Sequence, residues 1–188
     1  MTSFYSEDEL KSIGLKTYGE NVLISRFARI YGAKNISIGN NVRIDDFCIL
    51  SGHIEIQNYV HIAAYSALYG GTEGIYISDY ANLSSRVSVY SISDDYSGAT
   101  MTNPMIPEEY KNIQSEPVYI CKHVIIGSTS IILPGVILAE GSAYGSLSLI
   151  NSSSEPWSIN VGIPARKIKN RKRDLERLEK AFLERTKD

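Results

Sequence analysis

The sequence predicts an all-β fold, a parallel β-helix whose coils are triangular in section. Three observations predict it. Large aliphatic residues recur at every sixth position. Ile38, Ile44, Leu50, Ile56, Ile62 and Leu68 make one run, Ile77, Leu83 and Val89 a second, and Ile120, Ile126, Ile132, Leu138, Tyr144 and Ile150 a third. A small or β-branched residue stands two positions earlier in most units, as at Val42, Cys48, Ile54, Val60, Val87, Val118, Val124 and Val136. In a strand, residues i and i−2 point to the same face, so each unit is a short strand with two inward side chains. Gly and Asn cluster at the intervening turns, as in Gly39-Asn40, Gly127, Gly135, Gly141 and Gly145.

One such strand cannot bury its face alone, but stacked coils shield one another. Three units close one coil. Stacking then aligns Ile38, Ile56, Ile77, Ile120 and Leu138 on one wall and Ile44, Ile62, Leu83, Ile126 and Tyr144 on a second. Leu50, Leu68, Val89, Ile132 and Ile150 form the third. An ordinary sandwich would not hold a strict hexad over so many units.

The elements follow in chain order. Residues 1–20 form an N-terminal cap. In it SEDE is a capping box, with Ser6 as N-cap and Glu9 three residues on, and the short helix ends near Gly14. Residues 21–165 form the β-helix, interrupted by an excursion over about 91–117. Residues 166–188 form an amphipathic C-terminal helix with Leu175, Leu178 and Phe182 on one side, packed on the body or on a neighbouring subunit. The three walls place every irregularity at one corner. After Leu50 comes SGH with His53, after Leu68 the insertion YGGTEG, and after Val89 the excursion. Loops on a rigid scaffold are where binding residues gather.

Composition limits the function. The chain has 188 residues and a net charge of −2, with two cysteines in no metal-binding spacing. Residues 1–165 carry 9 basic and 16 acidic side chains, whereas 166–188 carry 10 basic and 5 acidic. The acidic body argues against nucleic acid, and the basic tail suits either a solvated helix or a phosphate-bearing small molecule. No apolar run approaches a membrane span, and the acidic start has no signal-peptide pattern, so a cytoplasmic location is expected.

The hexad resembles the hexapeptide-repeat acyltransferases over about residues 20–170. That resemblance implies a left-handed parallel β-helix, acetyl-CoA as co-substrate, no metal, and a homotrimer with its site between subunits. The phrases NVRIDDFCILSG, HIAAYSALYGG, SSRVSVYSISDDYSG and EPWSINVGIPARKIK are similar to one branch. It comprises the N-acetyltransferases of surface-polysaccharide loci that act on dTDP-4-amino-4,6-dideoxy-D-glucose. By resemblance Pro164, Ala165, Arg166 and Lys169 lie near coenzyme A, with Arg171 as a further phosphate candidate, although Pro164 also suits a plain strand exit. Gly127, Ser128 and Ser146 complete the expected cofactor-binding set, with a backbone N–H near Gly127 and Ser128 as the oxyanion donor.

Related enzymes of another branch place a histidine base in the excursion. Sliding that pattern onto YSISDDYS puts Asp95 at its position, with Asp94 adjacent. A hydroxyl acceptor calls for a base poised near neutral pH, typically His, whereas a neutral amine is already nucleophilic and needs only a proton acceptor. Aspartate there favours an amino-sugar acceptor. The expected catalytic set is Asp95, Asp94 and His53, with Tyr90, Tyr96 and His61 on the substrate. An Asx-turn role for the two aspartates competes with catalysis, and His61 and His123 also read as surface and turn residues. Three alternatives stand beside this reading: a galactoside or polysaccharide O-acetyltransferase, a γ-carbonic-anhydrase-like metal enzyme, and a purely structural β-helix.

Overall fold

The computed structural model describes residues 3–185. Three sheets of six, eight and six strands run the length of a solenoid of about seven turns, and a two-stranded ribbon stands apart from them. All three walls form in the expected register. Ile38 pairs with Ile56, Ile56 with Ile77, Ile77 with Ile120 and Ile120 with Leu138. Ile44, Ile62, Leu83, Ile126 and Tyr144 stack in the second wall. Leu50, Leu68, Val89, Ile132 and Ile150 stack in the third. Their side chains fill the lumen, and Ile44, Leu50, Ile62, Leu68, Leu83 and Ile126 are fully buried. Burying each such side chain contributes roughly 1.5–3 kcal/mol, which drives these very short strands to pair.

The turns differ from expectation. Glycine and asparagine fill only some left-handed positions. Tyr59, Tyr80, His123 and Trp157 take positive φ between walls 1 and 2, and Phe47, Tyr65, Arg86, Thr129 and Leu147 do so between walls 2 and 3. A left-handed non-glycine residue costs roughly 1–2 kcal/mol. Stacking across coils offsets much of it. The Tyr59 and Tyr80 rings lie 5.2 Å apart, Tyr80 and His123 5.0 Å, and Phe47 and Tyr65 5.0 Å. Such pairs contribute about 0.5–1.5 kcal/mol beyond area burial. The solenoid turns one strained conformation into an aromatic ladder because it repeats that conformation at a fixed spacing.

The N-terminal helix closes one end of the lumen. Helix α1 (Glu7–Ile13) has Ser6 as N-cap in a complete capping box and a left-handed Gly14 at its C-cap. It buries Leu10 against the first coil. The region after residue 165 is not helical throughout, as the sequence reading had it. Ala165–Asn170 is a strand that folds back antiparallel on Ser158–Gly162 around a cis Ile163–Pro164 bond. Only then does helix α2 (Asp174–Arg185) begin, and residues 186–188 of the expected helix lie outside the described residues. Of the expected Leu175, Leu178 and Phe182 stripe, Leu175 is half-buried and Phe182 meets the body, whereas Leu178 is 58% exposed. Helix α2 docks through Glu179, which meets Lys122 Nζ at 2.6 Å and His123 Nε2 at 2.8 Å. The Phe182 ring packs edge-on to Tyr59.

Candidate active site

The expected corner exists, and glycines make it tight. A Cβ on Gly70 would lie 2.0 Å from the His53 carbonyl oxygen, and one on Gly71 would lie 2.3 Å from Ile92 Cγ2. Only glycine allows the chain to pass there directly beneath the excursion. Ile92–Ser93 and Gln114–Ser115 pair antiparallel at the neck, so the loop leaves and rejoins the solenoid as a ribbon. Between this loop and the outer face of wall 3 lies a cleft of about 720 Å³. Tyr69, Tyr90, Ile131, Leu133 and Leu149 form its floor, and the loop supplies Asp94, Tyr96, Asn103, Glu108, Lys111 and Ile113. The Tyr69 and Tyr90 rings stack at 5.1 Å, which fixes both.

The adjacent aspartates meet different surroundings. Asp94 is exposed and lines the cleft. Asp95 is buried and turned into the loop, where it accepts the Ser97 N–H at 2.8 Å and the Thr100 hydroxyl at 2.9 Å. Hydrogen bonds from Ser97, then Thr100, hold its carboxyl below the usual carboxylate range. A carboxylate stabilised in this way is a weaker base. Asp95, expected at the position of a histidine base, is the Asx-turn residue that shapes the loop. Asp94 faces the cleft.

The histidines lie elsewhere. His53 Nε2 contacts Glu55 Oε1 at 3.2 Å, and its ring sits edge-on to Tyr76. His61 lies on wall 2 between Asp45 Oδ2 at 2.8 Å and Asn82 Oδ1 at 3.0 Å. His123 is a left-handed turn residue held by Glu179. None of the three lines the cleft, so the expected roles of His53 in catalysis and His61 in substrate binding find no place in it. Among the described residues no three His, Cys, Asp or Glu side chains converge on a point that could hold a metal ion. The two tyrosines named from sequence, Tyr90 and Tyr96, both line the cleft.

The expected cofactor residues divide between two places. Gly127, Ser128 and Ser146 lie at the corner between walls 2 and 3, where Ser128 Oγ is 3.3 Å from Ser85 Oγ. The Gly127 N–H donates to the Tyr144 carbonyl at 2.9 Å, so as an oxyanion donor it is already committed. Pro164, Ala165, Arg166 and Lys169 lie on the C-terminal hairpin, with the Arg166 and Lys169 side chains in solvent. Beside that hairpin is a depression of about 410 Å³ lined by Tyr144, Ser152, Ser154, Asn160, Arg166 and Lys167. Arg171 is no free phosphate ligand. Its Nη1 donates to the carbonyls of His123 at 2.8 Å and Gly141 at 3.0 Å, stitching the hairpin to the body. Sequence reasoning missed Lys111 and Ile113, because an aperiodic loop carries no signal of which side chains turn inward.

No protein-family model matches the chain. Among curated proteins it is 54% identical over 183 residues to a dTDP-4-amino-4,6-dideoxy-D-glucose acyltransferase of Escherichia coli, covering 96% of this chain and 95% of that one. Among solved structures it is similar to AntD, an N-acyltransferase from Bacillus cereus, in complex with dTDP and 3-hydroxybutyryl-CoA. That match has a TM-score of 0.98 and 54% identity, and it covers 100% of both chains. The S84A form of AntD with dTDP-4-amino-4,6-dideoxyglucose and coenzyme A matches with a TM-score of 0.96 and 55% identity over 98% of this chain and 99% of that one. The D94A form with dTDP and coenzyme A matches equally, again over 98% and 99%.

Proposed function

We propose a role for each part of the cleft from one premise: the chain belongs to the hexapeptide-repeat N-acyltransferases that act on dTDP-4-amino-4,6-dideoxyglucose. It is an acyl-CoA-dependent enzyme that acylates the amino group of that nucleotide sugar. The observation that carries the assignment of roles is the cleft, which presents one aspartate, Asp94, and no histidine. The neutral amine attacks the thioester carbonyl, and a C–N bond forms. The tetrahedral intermediate collapses, the C–S bond breaks and coenzyme A leaves. The proton lost from nitrogen passes to Asp94 and then to the departing thiolate or water. A carboxylate suffices here because the amine is already a nucleophile, whereas a hydroxyl would need a stronger base. The stacked Tyr69 and Tyr90 give the pyranose a flat apolar support.

Serine and aspartate occupy positions 84 and 94 of this chain, as they do in native AntD, and the two chains align end to end. That supports Asp94 as the proton acceptor. Ser84 is not among the residues that line the cleft with Asp94. Ile125, Ile131 and Ile137 are meanwhile exposed on the outer walls. Both features support a homotrimer in which a second copy completes the site. We assign acetyl as the transferred group, the cytoplasm as the location and surface-polysaccharide assembly as the setting. Free Cys48 and Cys121 fit a reducing compartment.

The test is a coupled thiol-release assay with acetyl-CoA and 3-hydroxybutyryl-CoA against dTDP-4-amino-4,6-dideoxyglucose and its 4-hydroxy counterpart. Release with the amine and none with the alcohol is expected, and acetyl-CoA should give the higher kcat/KM. Release with the alcohol alone would overturn the amine assignment. Light scattering reports the oligomeric state.

A further inference from the structure

We propose that Lys111 is the anchor for the diphosphate of the sugar nucleotide and so determines which acceptor the cleft accepts; this rests on the substrate reading given above. Lys111 lies in a loop, yet its side chain is only 4% exposed. The backbone fixes its base, since Met101 and Lys111 form a bridge and the Lys111 N–H donates to the Glu108 carbonyl at 3.0 Å. Its ammonium meets Glu108 Oε1 at 2.7 Å, but the Glu108 side chain is 80% exposed. Burying an ammonium is costly unless a well-placed anion repays it, and a solvated surface carboxylate repays little. A buried lysine with so weak a partner is suited to exchanging it for a stronger anion.

The cleft supplies the context. Its other charged lining residues among those described are Asp94 and Glu108, both acidic, so Lys111 is the cation there that can receive a phosphate. The two substrates each carry a diphosphate, and geometry separates them. In the sugar nucleotide one pyranose ring lies between the reacting nitrogen and the anomeric oxygen that bears the diphosphate. In an acyl-CoA the whole pantetheine arm lies between the thioester and its diphosphate. Asp94 and Lys111 line the same cleft, so a diphosphate that reaches Lys111 while the amine lies at Asp94 is the sugar's. Lysine serves as a point charge for such a group without demanding fixed bidentate geometry.

The experiment is calorimetric titration of dTDP, and separately of coenzyme A, into wild type, Lys111→Met, Lys111→Gln and Lys111→Arg, each first shown folded by thermal melting. Loss of one charge-assisted contact should weaken dTDP binding about tenfold or more in the Met and Gln variants. Coenzyme A binding should be unchanged and Lys111→Arg should recover most of the dTDP affinity. In turnover, KM for the amino sugar should rise with kcat preserved. Unaltered dTDP affinity in either neutral variant, or loss of coenzyme A binding with dTDP binding intact, overturns the proposal. A wild-type protein that takes up no dTDP overturns the substrate reading itself, and this proposal with it.

Discussion

Replacing Gly71 by alanine tests how the solenoid positions the cleft. Gly71 has φ +49°, and a Cβ there would lie 2.3 Å from Ile92 Cγ2. Two costs follow. A left-handed alanine is strained by about 1–2 kcal/mol. Forcing a methyl group into an occupied space costs typically 1–3 kcal/mol. Together they predict a loss of about 2–5 kcal/mol, which for a chain of this size lowers the melting temperature by roughly 5–15 °C. The clash falls on Ile92, which opens the ribbon and lines the cleft two residues before Asp94. Activity at a temperature where the variant is folded should therefore fall as well. The double variant Gly71→Ala/Ile92→Ala removes the clashing Cγ2 and leaves only the strain of φ. Melting by circular dichroism and thiol-release kinetics on the two single variants and the double should show coupling of about 1–3 kcal/mol in the double-mutant cycle. If the two losses simply add, or if Gly71→Ala melts and turns over like wild type, the close stacking at this corner does not position the loop and the reasoning is wrong.

Other outcomes follow from the same geometry. Asp94→Asn should lower kcat by roughly a hundredfold or more with little change in KM for the acyl-CoA, read by steady-state kinetics. Asp95→Ala should instead leave the chemistry competent and make the loop more susceptible to limited proteolysis, because it removes the acceptors of the Ser97 N–H and the Thr100 hydroxyl. Ile62→Ala deletes a fully buried lumen side chain between Ile44 and Leu83 and should cost about 2–5 kcal/mol in urea unfolding. Burial pushes the Glu179 carboxyl up, but Lys122 and His123 outweigh it and hold it below its usual value. The stability this lends is complete above the unfolded carboxyl value of about 4.3 and fades as pH falls through the lower folded value. The protection factors of the helix α2 amides, taken relative to the intrinsic exchange rate at each pH, should therefore fall on acidification below about pH 4, and Glu179→Gln should flatten that dependence.

The lumen was legible because its code is local and repeats. A hexad fixes which side chains face inward, and stacking by whole coils then fixes every partner, so Ile62 could be placed between Ile44 and Leu83 without coordinates. The corner that carries the site was legible too, since the irregularities after Leu50, Leu68 and Val89 must fall over one another once the walls are numbered. The turns were less legible. Sequence preference favours glycine and asparagine at left-handed positions, but Tyr59, Tyr80 and His123 hold them because rings in successive coils stack, which no single turn reveals.

The periodic sequence by itself determined the solenoid, its register, the capping box at Ser6 and the place where the chain departs from the scaffold. Tertiary structure alone decided which aspartate faces the cleft. Asp94 and Asp95 are chemically identical neighbours, and the bonds from Ser97 and Thr100 turn Asp95 inward and leave Asp94 facing the cleft. It likewise decided that Arg171 binds carbonyls and that Lys111 is buried. Both are solitary residues whose partners lie far away in the chain or on an aperiodic loop, where no repeat dictates the neighbour.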